Sequence, residues 1–489
     1  TGLEVNDAAL RLTALSLYLT ALELDPEPGP SARVPFPDLM AQGVLRDVRA
    51  TEDHARIAAE RPPLGSLGAH VDPSLEGRFD VVVGNPPWTR WGVSSPDGAT
   101  AAREVVSVVG PIVRARLGEA EGAGYQMTNG LPDLPFLWRA TQWAAPDGVL
   151  GFVLHGHWLF QQTPQAQKRR AEVLRGLTVS TIVNGTALRR ATGVWAGQEA
   201  PFFILFARNR APLEGERFRY ISPMQDDALN KRGRMRLDAT AAHPVSPVEA
   251  AAKPWLFKTL FRGGPLDVAL VEKGSAASGG VGLGAWGPEA FSGLGYRNAQ
   301  KGGTPALNMH KCYALESDAT CRVALPEEGG DRFQAERVLF PTFTNWQKHH
   351  AEEVAAGLAP RQFRGPLIVV RKVPRAGEEH TSLAWWAPQD TVYSQSFLGL
   401  SAAWHPNPQG LARYLLVCLN STILRHRLLM CAADWGIERG TLLVEDLRSL
   451  PLPRWESVPE ALRAAIDDCG VWMIANDRLD GDRCDRLVA

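Results

Sequence analysis

At 489 residues the chain is long enough for two or three domains, each able to bury its own core. Its composition, 45% hydrophobic and 21% charged, is that of an ordinary soluble globular protein. The formal net charge of -1 excludes a global electrostatic pull toward a polyanion, so any nucleic-acid contact requires locally clustered cations.

The first residues, Thr1-Gly2-Leu3-Glu4-Val5-Asn6, read as the end of a strand that carries an acid at its tip. Asn6 or Asp7 then caps a helix in which Leu10, Leu17 and Leu24 fall seven apart on one face. After a Pro-rich stretch, residues 26–37, the segment Gly43-Val44-Leu45-Arg46-Asp47 reads as another strand end. Gly65-Ser66-Leu67 follows in a long insertion.

The apolar run Phe79-Asp80-Val81-Val82-Val83-Gly84 is a short β-branched strand that runs into Asn85-Pro86-Pro87-Trp88. Two consecutive prolines lock φ and remove two N–H donors, so the turn is rigid and its carbonyls have few local partners. Asn85 presents an amide oxygen, Pro86 a backbone carbonyl and Trp88 a flat π surface. Two acceptors beside a stacking platform form a receptor for an exocyclic amine on a planar ring. The alternative is a Pro-Pro turn after a buried strand, with Trp88 as packing.

From Trp88 to about Gly130 the chain is Gly- and Ala-rich with helical patches, and we expect a mobile loop over the site. A helix starts in Leu131-Pro132-Asp133-Leu134-Pro135-Phe136, followed by the Pro146-Asp147-Gly148 turn and a strand from Val149 to Leu154. His155, His157 and Trp158 sit at that strand's end, the ligand side of an α/β sheet. A basic helix with Lys168, Arg169, Arg170 and Arg175 leads to the strand Ser180-Thr181-Ile182-Val183. Ala191-Thr192-Gly193-Val194-Trp195 and the strand from Pro201 to Phe206 close the alternation near Asn209.

Beyond residue 210 irregular Pro/Gly-punctuated segments take over. Lys231-Arg232-Gly233-Arg234-Met235-Arg236 is either a phosphate-contacting run or a solvated basic loop. Gly279-Gly280-Val281-Gly282-Leu283-Gly284 follows no clear strand and opens no clear helix, so it reads as a flexible loop and not a cofactor loop. The six cysteines (Cys312, Cys321, Cys418, Cys431, Cys469, Cys484) form no CxxC pair and have no His at zinc-finger spacing, which points to reduced thiols and no metal. His349-His350 with Glu352-Glu353 reads as a solvated helix face. No apolar run is long enough to span a bilayer and no signal peptide is visible, so a cytoplasmic protein without a membrane partner is expected.

Asn85-Pro86-Pro87-Trp88 resembles motif IV of the S-adenosylmethionine-dependent amino-methyltransferases, written Asn/Asp/Ser-Pro-Pro-aromatic. The large restriction-modification or phage-defence type of DNA adenine-N6 methyltransferase is the member that the whole chain resembles. This resemblance implies an α/β fold. Residues 1–209 would form a Rossmann-like methyltransferase domain, incomplete at its N-terminus because the glycine-rich motif I loop does not precede Glu4. Residues 210–455 would form a mixed α+β DNA target-recognition domain, and residues 456–489 a helical tail. It further implies S-adenosylmethionine as cofactor, double-stranded DNA as partner, further subunits of a restriction or phage-defence complex, and a flipped adenine as substrate. Asn85 and the Pro86 carbonyl would hold the amine, with Pro87 stiffening the turn and Trp88 stacking on the base. Glu4 would hold the cofactor ribose, and Asp47, with Ser66 as its rival, would lie near the cofactor adenine. Asp133 and Phe136 would lie beside the cofactor, or serve as a helix cap and a core residue.

Trp195 would cover the other face of the flipped base. In the C-terminal half, Leu367-Ile368-Val369-Val370-Arg371-Lys372, Cys418-Leu419-Asn420-Ser421, Trp435-Gly436-Ile437-Glu438-Arg439-Gly440 and Leu450-Pro451-Leu452-Pro453 resemble, in their order, the target-recognition part of such enzymes. Lys231, Arg232, Arg234, Arg236, Arg371 and Lys372 are the DNA-contact candidates. The tetrapeptide also occurs in RNA guanine-N2 and protein glutamine methyltransferases, which stay open as alternatives. So does a DNA-binding specificity or assembly subunit built on an incomplete methyltransferase fold. No paired-acid plus Glu-x-Lys nuclease signature is present.

Overall fold

The computed structural model describes residues 1–4, 6–24, 37–47, 64–69, 71–91, 96–119, 124–127, 130–189, 199–277, 282–287, 292–294, 312–315, 320–323, 339–342, 360–373, 383–388, 391–393, 396–437 and 440–489. The chain divides into two compact units, Thr1–Pro254 and Trp255–Ala489.

In the first unit, β1 (Gly2–Glu4) pairs in parallel with β2 (Leu45–Asp47), which sets the two strand-end acids Glu4 and Asp47 side by side. Between them lies α1 (Asp7–Leu24). Asn6 caps it as expected, its Oδ1 accepting the N–H groups of Ala8 and Ala9 at 2.9 and 3.2 Å. The leucine stripe is not buried along its length, however. Leu10 is 1% exposed, whereas Leu17 and Leu24 are 46% and 77% exposed.

The other strands form a mixed six-stranded sheet: β3 (Phe79–Gly84), β4 (Ala144–His155), β5 (Thr178–Asn184), β6 (Phe202–Arg208), β7 (Phe218–Ile221) and β8 (Ala242–Val245), in the spatial order β3-β4-β6-β5-β7-β8. β3 and β4 run parallel, so their C-terminal ends, Gly84 and His155, lie on one side of the sheet. β6 enters antiparallel between β4 and β5 and brings its first residue, Phe202, opposite His155. The Pro146-Asp147-Gly148 segment, expected as a turn, is absorbed into β4. There the register shifts against β3, and Asp147 adopts φ 60°. The expected boundary at Asn209 falls inside this unit, because β7 adds to β5 in parallel and β8 to β7 in antiparallel fashion.

The region expected as a mobile loop before Gly130 contains a 22-residue helix, α2 (Pro96–Leu117). Ala101, Val105, Val109, Ile112 and Val113 are buried along it, a 3.6-residue stripe that faces α3 (Asp133–Trp143). Burying side chains of the Val and Ile class is worth roughly 1.5–3 kcal/mol each, enough to outweigh Gly110 and Pro111 inside the helix. The basic helix is α4 (Pro164–Gly176), started by Thr163, whose side chain accepts the Ala166 N–H. Two of its four cations point inward. Arg169 pairs with Glu172, both side chains at most 3% exposed, and Arg170 donates to the carbonyls of Trp158, Gln161 and Pro254.

The second unit holds two four-stranded antiparallel sheets. One is ordered β12-β11-β10-β15, from Leu339–Thr342, Thr320–Val323, Cys312–Leu315 and Thr391–Tyr393. The other is β14-β13-β16-β9, from Ala384–Ala387, Leu367–Arg371, Phe397–Ser401 and Ser292–Leu294. Four helices, α5 (Pro408–Asn420), α6 (Thr422–Cys431), α7 (Glu460–Asn476) and α8 (Gly481–Val488), share one apolar cluster with β13, β14 and β16. The C-terminal segment, expected as a helical tail, is helical and packs into this core. Ile466, Cys469, Met473 and Cys484 lie in the same core as Leu411 and Leu415. Cys418, Cys431, Cys469 and Cys484 are free thiols.

Among the described residues no helix is long and apolar enough to cross a membrane, and no group of acidic, His and Cys side chains is placed to hold a metal.

Candidate active site

The tetrapeptide leaves β3 where Gly84 presses against Phe152 of β4. A Cβ at Gly84 would lie 2.6 Å from the Phe152 ring, so glycine lets the two parallel strands close up immediately below Asn85. Pro86 is buried, Asn85 and Pro87 are exposed, and Trp88 is half-buried. The Trp88 indole is held on several sides: its Nε1–H donates to the Val153 carbonyl at 3.4 Å, its ring stacks with Phe202 at 6.1 Å and 17°, and it meets His155 edge-on at 6.2 Å and 81°. Three residues on, the Trp91 N–H donates to the Gly130 carbonyl at 2.9 Å. The turn is thus pinned on both sides of its exposed acceptor.

A cavity of about 840 Å³, within the size range of small-molecule and cofactor sites, lies against this turn. Glu4, Ser66, Asn85, Pro86, Pro87 and Phe136 all line it. Val81, Val82 and Val83 form an apolar wall; Val81 and Val83 keep 59% and 76% of their surface exposed despite the apolar run in which they sit. Glu4 reaches the site from the end of β1, its Oε1 accepting the Asn6 N–H at 3.0 Å. Of the rivals Ser66 and Asp47, Ser66 lines the cavity, while Asp47 sits beside Glu4 in the β1–β2 register without lining it. The donor set suits a nucleoside-bearing cofactor: a carboxylate for vicinal hydroxyls at one point, aromatic and aliphatic walls for a planar ring elsewhere.

Asp133 is placed differently from Phe136. It is 4% exposed in the first turn of α3, with Oδ1 accepting the Leu134 N–H at 2.9 Å and Oδ2 the His155 N–H at 3.3 Å. It therefore ties the start of a helix to the end of β4 and does not line the large cavity. Burial pushes its carboxyl up to about 6, against the pull of those backbone donors. His155 moves the opposite way, down to about 3, through burial first and then the charges of His157 and Arg90. Geometry agrees: His155 Nδ1 accepts the His157 N–H at 3.1 Å, and the two imidazoles stack at 4.2 Å and 7°. The edge that faces Trp88 is a neutral imidazole.

The remaining candidates are dispersed. Trp195 lies outside the described residues, as do His349, His350, Glu352 and Glu353. Lys231, Arg232, Arg234 and Arg236 form an exposed turn after the short helix Asp227–Asn230. Asn230 organises that turn, donating to the Arg234 carbonyl and accepting the Asp226 N–H, both at 2.9 Å, while Arg236 pairs with Asp238 at 3.1 Å.

In the second unit Arg371 lies over the Trp385 ring at 5.3 Å, and the Lys372 backbone bonds to Ser396 and Leu442. Asn420 is 1% exposed and acts as a staple: Oδ1 accepts the N–H groups of Leu383 and Ala384, and Nδ2 donates to the carbonyls of Ala384 and Leu416. Ser421 caps α6. Leu450 and Pro453 accept bonds from Leu283 N–H and Tyr414 Oη–H, and Gly282 bridges Pro451. The Gly282–Gly284 part of the expected flexible loop is thus a tightly packed turn, where a Cβ on Gly282 would meet the Arg448 carbonyl at 2.6 Å. Sequence reasoning missed Phe202 as a partner of Trp88, since only the β4–β6 register brings it there.

Residues 1–188 match the family of Eco57I restriction-modification methylases. No curated protein matches the chain. Among solved structures, the chain is similar to DrdV in a complex with DNA (10% identity, 97% of this chain and 50% of that chain, TM-score 0.42). It is also similar to the type IIG restriction endonuclease BpuSI (11% identity, 86% and 54%, TM-score 0.30). A third likeness is to the methyltransferase subunit of a type I restriction-modification system from Streptococcus thermophilus (16% identity, 36% and 36%, TM-score 0.24). The chain spans about half the length of the first two. By sequence, then, the first 188 residues carry the pattern of a restriction-modification methylase.

Proposed function

We propose that this protein transfers a methyl group from S-adenosylmethionine to the N6 amine of adenine in duplex DNA, in a restriction-modification or phage-defence system of the cytoplasm. The observation that carries this reading is the convergence of Asn85, Pro86, Glu4 and Phe136 on one cavity beside the C-terminal end of β3. In an α/β sheet that side is where ligands bind. The match of residues 1–188 to restriction-modification methylases supports DNA as the acceptor.

When bound, the cofactor supplies an electrophilic methyl on a sulfonium. Glu4 holds ribose hydroxyls, with Ser66 and Phe136 along the same wall and Asp47 beside Glu4. Asp133 serves the site by holding the end of β4. Asn85 Oδ1 and the Pro86 carbonyl accept the two amine hydrogens of a flipped adenine, which keeps the nitrogen lone pair out of ring conjugation and directed at the methyl group. The stiff Pro86-Pro87 turn sets these acceptors beforehand, so little reorganisation is needed at the moment of transfer. Trp88, backed by Phe202, offers the stacking face, with Trp195 for the opposite face. Lys231, Arg232, Arg234 and Arg236 contact phosphates from the first unit, and Arg371 and Lys372 from the second. No separate strong base is required, since the amine proton becomes acidic only after methylation.

Tritiated methyl transfer into plasmid DNA by the intact protein, followed by nucleoside analysis, tests the reading. Labelled N6-methyladenine that falls at least 100-fold with Asn85→Ala, while cofactor binding persists, is the expected result. Label in another base, in RNA or in protein refutes the adenine assignment. A second reading, a DNA-binding specificity subunit, is favoured by one observation: β1 and β2 form their own two-stranded sheet, and β3 is an edge strand of the larger one. DNA binding without any binding of labelled cofactor selects that reading.

A further inference from the structure

Among the described residues that line the cavity, the side chains include one acid, Glu4, and no cation. A base can enter such a receptor only with its phosphates at the rim, where they need a positive charge. Along the chain from β3, Arg90 is the first cation after Asn85, and it is exposed. It makes no hydrogen bond or ion pair with the described residues. Its backbone is nevertheless fixed, because Trp88 two residues before it is held by Val153, Phe202 and His155, and Trp91 one residue after it is 9% exposed and bonded to Gly130. Two residues span about 7 Å at most, so the Arg90 Cα lies within that distance of the Trp88 Cα. Its charge is felt at the His155 imidazole, which meets the Trp88 ring edge-on. An arginine with no acid to satisfy it among the described residues, mounted on a pinned backbone beside a neutral aromatic receptor, has the features of an anion clamp.

We infer that Arg90 binds a backbone phosphate flanking the extruded nucleotide, fixing the target strand at the mouth of the Asn85–Trp88 receptor. This rests on the DNA-methyltransferase reading above. A guanidinium suits the role because its planar fork meets two phosphate oxygens together, whereas lysine offers a point charge.

The test uses the intact protein with Arg90→Gln and Arg90→Lys variants and plasmid DNA, measuring methyl transfer and DNA affinity between 50 and about 200 mM salt, a window in which phosphate contacts dominate the change. For Arg90→Gln we expect KM for DNA to rise about 10-fold, kcat to stay within about twofold, and the slope of log affinity against log salt to fall by about 0.9, the loss of one phosphate contact. Arg90→Lys is expected to keep the wild-type slope while losing part of the affinity. An Arg90→Gln slope equal to wild type overturns the inference, as does a fall in kcat at unchanged KM. If wild-type protein methylates DNA and Asn85→Ala does not, such a result refutes the Arg90 clamp alone. If wild-type protein transfers no methyl group to DNA, both readings fall together.

Discussion

Replacing Asp133 by Asn gives a direct measure of how strongly the protein strains its own site. The carboxyl is buried between Leu134 and His155, and burial raises it from 3.8 to about 6. The folded state therefore binds the proton more tightly than the unfolded chain. Between about pH 4 and 6 the folded protein holds more protons, so stability falls as pH rises through that window and levels off above it. A rise from 3.8 to about 6 corresponds to about 3 kcal/mol of destabilisation when the group is fully ionised. About half of this is already present at pH 5, which leaves roughly 1.4 kcal/mol to appear between pH 5 and 8. Asparagine does not ionise, and it retains one acceptor oxygen for the two backbone donors. Its own cost is therefore independent of pH. Urea denaturation of both proteins at pH 5 and pH 8 should show the Asn variant improving relative to wild type by about 1–2 kcal/mol at the higher pH. A difference that stays constant between the two pH values would refute the reasoning, since the carboxyl would then titrate alike folded and unfolded.

Two further outcomes follow from close packing. Asn420→Ala removes four hydrogen bonds to the Leu383–Ala384 strand start and Leu416 and should cost about 3 kcal/mol, read as faster amide exchange over residues 383–387 and a lower urea midpoint. Gly84→Ala places a methyl 2.6 Å from the Phe152 ring, which is 4% exposed, so it should destabilise by about 1–3 kcal/mol. The same change should lower methyl transfer at least tenfold by displacing Asn85, while DNA affinity stays near wild type.

The tetrapeptide was legible from the letters because its chemistry is local: two prolines stiffen any chain in which they occur, and the apolar run before them needs only a strand's two-residue period. The strand ends that carry Glu4 and Asp47, the cap at Asn6 and the helix starting near Asp133 were legible for the same reason. The helix Pro96–Leu117 was not, because Gly98, Gly110 and Pro111 are local breakers whose penalty is outweighed only by side chains buried against another helix. The basic helix with Lys168, Arg169, Arg170 and Arg175 was legible, but not that two of its cations turn inward. Arg169 pairs with Glu172 one turn on, both buried, and the carbonyls that hold Arg170 lie outside the helix, one of them as far along the chain as Pro254. Asn420-Ser421 read as a recognition element, and the fold makes it a junction between two helices.

What the amino-acid order determined by itself was the turn: an amide, a carbonyl and an indole on a rigid segment at a strand end, set by φ restriction and β-branched periodicity over about ten residues. What only the tertiary structure decided was what surrounds that turn. Sheet register sets Phe202 and His155 against Trp88, and long-range packing brings Glu4, Ser66 and Phe136 to the cavity that Asn85 borders. Register and burial are properties of pairs of distant segments, and no single stretch of sequence carries them.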